Sequence, residues 1–198
     1  MNKPADAKYP VNPIVAERWS PRALDPRQVP AEQVRSLLEA ARWTASAFNE
    51  QPWSFIVALR DDTTEFERAL GCLVPGNQQW ARNAGALMLT VARERFSRND
   101  KPNGTALYDV GQSAAALALQ ATDLGLRVHQ MSGVDRDKVR ESYGVPEGFA
   151  PLTGIAIGYP GPIELLPEGF REAETKPRER KPQSEFVFSG KWGNSAAW

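Results

Sequence analysis

Hydrophobic positions recur along this chain with two periods, and the change from one to the other marks out the elements. Asn12 before Pro13 starts a short helix, with the amide as cap and the proline at the first helical position; Glu17-Arg18 lie in its last turn, and Ser20-Pro21 breaks it. After Pro30, the positions Val34, Leu37, Leu38 and Ala41 keep the i, i+3, i+4, i+7 spacing of one buried stripe. That helix should end near Trp43, because small polar residues follow and Pro52 forbids continuation. Residues 54–59 carry apolar side chains on both faces and predict an interior strand. Asp62-Thr63 caps a third helix bearing Phe66, Ala69, Leu70 and Leu73; Pro75-Gly76 reads as a turn before a second buried strand at 86–92. The polar residues 93–103 form a loop long enough to move or to cover something.

Residues 105–124 make the strongest helical stretch, and Gly125 suits its C-terminal end. Gly111, Ser113, Ala114, Ala115, Ala116, Ala118 and Ala121 leave it little polar surface. Such a helix is buried around most of its circumference, which in a chain of 198 residues calls for cover from another subunit. A short strand at 128–131, a helix capped by Asp135 and ending before Gly144, and an internal strand at 154–159 follow. Residues 160–198 hold the apolar run Glu185-Phe186-Val187-Phe188 but too little else for a core, and read as an arm laid across another surface. Helices outnumber strands without strict alternation, so the fold class is α+β, one domain over 1–198.

Composition narrows the function. Basic and acidic residues number 24 each, with 41% hydrophobic and 24% charged positions. That balance excludes wholesale disorder and argues against nucleic acid or an anionic membrane as partner. The most apolar stretch, 84–92, is far short of the ~20 residues that span a bilayer, and the first residues lack an export core, so the expected setting is cytoplasmic. Cys72, the only cysteine, has no partner for an internal disulfide. No glycine-rich phosphate loop, nucleophile elbow or His-Glu metal spacing is present. His129, between Val128 and Met131, reads as a packed strand residue and not as a catalytic base.

Four constellations could carry chemistry. In Arg18-Trp19-Ser20-Pro21-Arg22, two guanidiniums four apart with a hydroxyl between them can converge on an anion. In the stretch from Thr44 to Trp53, small residues let a backbone approach a flat ligand, and Asn49 and Gln51 can read ring carbonyls and N–H groups. Gly125 to Gly133 offers a glycine at a strand end, where a backbone N–H can face a ligand. Arg178-Glu179-Arg180-Lys181-Pro182 is a basic cluster whose two arginines share one face of an extended segment. Each alone has a plain structural explanation: solvated arginines, a helix–strand loop, a packed strand, a charged linker.

Taken in order, these segments from Val11 to Lys181 closely resemble the nitroreductase family of FMN-dependent oxidoreductases, most specifically around Asn49-Glu50-Gln51-Pro52-Trp53. The resemblance implies a mainly antiparallel sheet flanked by helices, with a C-terminal extension packing on the partner subunit. It implies FMN held in a homodimer, with Arg18 and Ser20 at the phosphate end, Trp19 among the cofactor-binding positions where a second basic residue is common, and Arg22 towards the ribityl chain and pyrimidine edge. Ala45, Ser46, Ala47 and Asn49 of the partner subunit would lie along the ring, with Asn77 near the pyrimidine and Thr105 a weaker contact. Gln130, Met131, Ser132 and Gly133 would back the ring, and Arg178 and Arg180 would close on the phosphate. NADH or NADPH is the implied donor and a nitroaromatic, quinone or similar small molecule the acceptor. The same resemblance admits a dedicated enone, dehydrogenation or flavin-breakdown activity, or a protein that only stores or delivers FMN. Ala45-Ser46-Ala47 replaces the family's usual Pro-Ser-Ser, and Trp80 stands where some members have lysine.

Overall fold

The computed structural model describes residues 2–197. Helix α1 (Pro13–Glu17) begins where Asn12 accepts from the Ile14 amide. After the two-residue strand β1 (Leu24–Asp25), helix α2 (Ala31–Arg42) buries Val34, Leu37 and Ala41, the stripe its spacing predicts. Strand β2 (Trp53–Leu59) leads into helix α3 (Thr63–Gly71), whose cap Asp62 accepts from the Glu65 amide at 3.1 Å. Pro75-Gly76 is no simple turn. The proline opens a further helix, α4 (Pro75–Ala81), because its missing N–H costs nothing at that position.

Strand β3 (Ala86–Arg93), helix α5 (Ala106–Asp123), strand β4 (Arg127–Met131) and helix α6 (Arg136–Tyr143) follow. Strand β5 (Phe149–Pro160) is about twice the length the apolar run predicts, because its first half pairs with β3 as far as Arg93. All pairings are antiparallel: β5 lies between β3 on one side and β4 with β1 on the other, and β2 adds to the far edge of β3. Strand β2 therefore takes an edge place, contrary to its interior reading; apart from buried Ala58, its apolar residues are only partly buried.

Alternation along the strands sorts side chains into two cores, one on each face of the sheet. Leu87, Leu89 and Ala156 face α3, α4 and α6; Ala86, Met88, Ile155 and Ile157 face α2 and α5. Helix α5 buries Val110, Ala114, Leu117, Ala118 and Ala121 on one side only. Leu107, Tyr108, Gly111 and Ala115 on its other side are uncovered in the chain, so the small-residue helix is buried around half its circumference here.

The arm divides in two. Its first part folds back on its own chain: Leu166 enters the core, Ile163 and Phe170 pack against it, and helix α7 (Glu168–Thr175) buries Glu174. The second part ends in a small turn closed by a Phe188–Ser195 bridge and a Phe188–Trp192 ring contact, leaving Phe186 and Trp192 exposed.

Candidate active site

Three guanidiniums gather where the arm crosses α1. Arg18 is half-buried, and its grip on its proton is weakened first by burial and then by the charges of Arg178 and Arg180. Arg178 responds likewise to burial and to Arg180. None of the three forms a salt bridge among the described residues. Like charges held together without a carboxylate are costly unless an anion joins them, and guanidiniums suit an oxyanion's paired acceptors. Ser20 Oγ accepts from Arg18 at 3.3 Å, at the edge of this cluster. One Arg178 nitrogen is already used, donating to the Lys3 and Ala16 carbonyls at 2.8 and 2.9 Å.

From Trp19 to Ala23 burial alternates, with Trp19, Pro21 and Ala23 buried, Ser20 exposed and Arg22 half-buried at a bend. Trp19, Pro21 and Ala23 line a cavity of about 220 Å³ with Pro160, Pro162 and Ile163. The Trp19 ring is thus turned into the protein, with Lys3 Nζ 4.9 Å above it, and only its backbone can serve a ligand on the face of Ser20 and Arg22.

Strand β4 backs the Pro21–Arg22 segment. His129 Nδ1 bonds the Pro21 carbonyl at 3.1 Å; an oxygen can only accept, so Nδ1 carries the proton. Burial and the charge of Arg22 bring the His129 pKa down to about 4, and its ring lies 4.6 Å from Trp80, so it is the packed, neutral histidine its neighbours indicate. Trp80 is wholly buried and lies beneath the site, not at its rim.

Asn77 Nδ2 donates to the Gly133 carbonyl at 3.1 Å, and a Cβ on residue 133 would stand 2.5 Å from that nitrogen and 2.8 Å from Val74 Cγ2, so any larger residue there would displace these side chains. Ser132 is exposed between them and the strand. Gln130 Nε2 is tied to the Ala114 carbonyl at 3.3 Å. Met131 packs its side chain in the core, so that its backbone is the part left to the segment's outer face.

A second cluster sits at the start of α5. The 3-10 turn Ala47–Asn49 and the residues just after it hold Phe48, Asn49 and Gln51 at φ of 55°, 55° and 51°. Its shape is kept by Ser46 Oγ accepting from the Gln51 amide and by buried Asp109 accepting from the Ala47 amide and from Thr105 Oγ1. Loop 93–103 covers it: the Ser97 amide donates to Glu50, and Phe96 and Arg98 pack on Phe48. Ala45, Ser46, Ala47, Asn49 and Thr105 therefore form one group and the arginines another, with no hydrogen bond between the two among the described residues.

Sequence reasoning missed Glu174 and Asp109. Both are carboxylates buried by contacts across the fold, and neither lies in a local pattern.

The sequence model of the Nitroreductase family matches residues 15–159. The chain belongs to the nitroreductase family. This nitroreductase-family chain is similar over 96% of its length to a crystal structure described as an oxidoreductase containing FMN, at 35% identity, 96% coverage of that chain and a TM-score of 0.90. A Mycolicibacterium smegmatis protein named as an uncharacterized 15.4 kDa protein is 33% identical over 65% of this chain and 85% of its own. An Archaeoglobus fulgidus protein, provisionally named NADH dehydrogenase/NAD(P)H nitroreductase, is 28% identical over 74% of this chain and 83% of its own. Arg178, Arg180 and Glu174 lie beyond the residues matched to the family model. No described helix is long and apolar enough to cross a membrane.

Proposed function

We propose that this chain is an FMN-dependent oxidoreductase, working as a homodimer, that takes hydride from NADH or NADPH and reduces a nitroaromatic, quinone or similar small acceptor. The observation that carries the reading is the gathering of Arg18, Arg178 and Arg180 without a carboxylate partner, which fits a phosphate monoester in charge and in donor count. The solved relative containing FMN supports the choice of phosphate-bearing ligand.

Bound there, FMN would supply the hydride chemistry that no side chain of the site offers. The protein's part is to bind and orient. Arg18, Ser20, Arg178 and Arg180 hold the phosphate. Arg22 would present a fixed positive charge towards the pyrimidine edge and so favour an electron-rich ring. Neutral His129 adds no charge of its own and keeps the Pro21 carbonyl in place. Asn77, Gly133 and the backbone of Gln130, Met131 and Ser132 line the back of the site. Donor and acceptor use one open face in turn, which makes turnover ping-pong.

The homodimer rests on the separation of the two clusters. The loop of Ala45, Ser46, Ala47 and Asn49 serves the site of the other subunit, and the uncovered side of α5, with Leu107 and Tyr108, lies at the contact.

The test is direct. The purified protein should carry a flavin absorbance near ~450 nm that bleaches with NADH or NADPH and returns when an acceptor is added. A flavin that stays oxidised with both nucleotides would reduce the protein to an FMN carrier; no uptake of FMN by the apoprotein would remove the reading altogether.

A further inference from the structure

Helix α7 meets the Arg18–Ala23 segment through a single face. Phe170 and Glu174 are four residues apart on it, one turn of helix. The Phe170 ring centre lies 5.9 Å from the Arg22 guanidinium carbon, within cation–π reach. Glu174, only 3% exposed, takes the backbone beneath that guanidinium. Its Oε1 accepts from the Arg22 amide at 2.9 Å and the Ala23 amide at 3.0 Å, and its Oε2 lies 3.2 Å from the Arg22 amide.

The Arg22 amide and the Pro21 carbonyl belong to one peptide group. Glu174 holds the first and His129 the second, so this peptide is fixed at both ends. No salt bridge neutralises Glu174 among the described residues. A buried carboxylate is expensive unless its hydrogen bonds replace its water, and here two backbone N–H groups do so. A tether alone would be made as well by apolar side chains; an acceptor oxygen aimed at two consecutive amides sets a backbone direction.

We propose that Glu174 is the positioning residue for Arg22: by fixing the Pro21–Arg22 peptide from the arm, it sets where the guanidinium stands against the flavin's pyrimidine edge. The inference rests on the FMN reading above and adds to it a residue outside the family match. Glu174 acts through its acceptor oxygen, not its charge. Glu174→Leu removes the acceptor at similar volume and strands both amides, whereas Glu174→Gln keeps one oxygen for them.

The experiment titrates FMN and riboflavin into the apo forms of the parent, Glu174→Leu, Glu174→Gln, Arg22→Ala and the Glu174→Leu/Arg22→Ala pair, and measures the reduction potential of each loaded form. Glu174→Leu should weaken both ligands about tenfold, since Arg22 serves the ring end common to both. Glu174→Gln should recover most of that loss. In the Arg22→Ala background, Glu174→Leu should change neither ring affinity nor potential further, the mark of a residue acting through another. Glu174→Leu effects that add in full to those of Arg22→Ala, or a Glu174→Leu protein with parental affinities, overturn the proposal while the parent still binds FMN. A parent that binds no FMN overturns the functional reading and this one together. If Glu174→Leu does not fold, Glu174→Asp, which withdraws the acceptor by one methylene, carries the same test of additivity.

Discussion

The buried carboxylate of Asp109 accepts the Ala47 amide at 3.2 Å, joining the strained loop to helix α5 across 62 positions. Phe48, Asn49 and Gln51 all sit in the left-handed region, which costs an ordinary residue roughly 1–2 kcal/mol each. The loop persists because Asp109, Ser46 and the cover from Phe96 and Arg98 hold it.

That strain decides how Asn49 should be tested. Alanine at φ 55° would add backbone strain to the loss of the amide, whereas glycine removes the amide and accepts the dihedral. Asn49→Gly should raise the FMN dissociation constant about fivefold, the loss of ~1 kcal/mol for one ring contact, with an unchanged thermal midpoint. Asn49→Ala should show the same affinity loss together with a lower midpoint. Flavin titration and thermal unfolding of both variants check this; parental FMN affinity in Asn49→Gly would remove Asn49 from the ring.

Arg180→Ala should weaken FMN at least about tenfold and leave riboflavin nearly untouched. A charge-assisted contact to phosphate is worth roughly 1.5–3 kcal/mol, and riboflavin has no phosphate. The parent's preference for FMN over riboflavin should also shrink as salt rises, because this arginine is exposed. Paired titrations at low and high ionic strength read both effects, and equal losses for the two ligands would contradict the assignment.

His129 makes stability depend on pH. Its folded pKa of about 4 lies below the ordinary 6.5, so between those values the unfolded chain takes up a proton that the folded one refuses. The contribution is complete above about pH 6.5 and falls away towards pH 4, by up to ~3 kcal/mol. His129→Gln, which keeps a donor for the Pro21 carbonyl, should flatten the urea midpoint over that window relative to the parent. Parallel curves for the two proteins would place the acid sensitivity elsewhere.

If the Asn49 loop serves a neighbouring subunit, FMN retention and dimerisation must fail together. Dilution should release FMN over the same concentration range in which sedimentation shows monomer appearing. A stable monomer that keeps its flavin would contradict the shared site.

Periodicity disclosed most of the frame, because helix stripes such as Val34, Leu37 and Ala41 and caps such as Asp62 and Asp135 are local signals. It misplaced β2, since a half-buried edge strand with a helix on each face carries the same apolar run as a central one. Helix α4 was hidden because Pro75-Gly76 has turn chemistry, yet proline is equally at home at a helix start. At the site, the order of segments gave Arg18, Ser20 and the late arginines, and the structure brings Arg18, Arg178 and Arg180 together. What sequence could not disclose was direction: that Trp19 and Met131 turn inward, and that Glu174, in a helix with no motif, meets the Arg22 backbone 152 positions away.

Arg178 bonds the carbonyl of Ala16, 162 positions earlier, and that fixes an order in time as well as in space. At about 5–20 residues per second, synthesis takes roughly ten to thirty seconds to travel from one to the other. Throughout that interval the nascent chain owns Arg18 without its two companions, so the anion cluster cannot close on the ribosome until the arm has emerged. If the cluster holds a phosphate-bearing ligand, as proposed, that ligand can be gripped by all three arginines only after Arg180 has emerged.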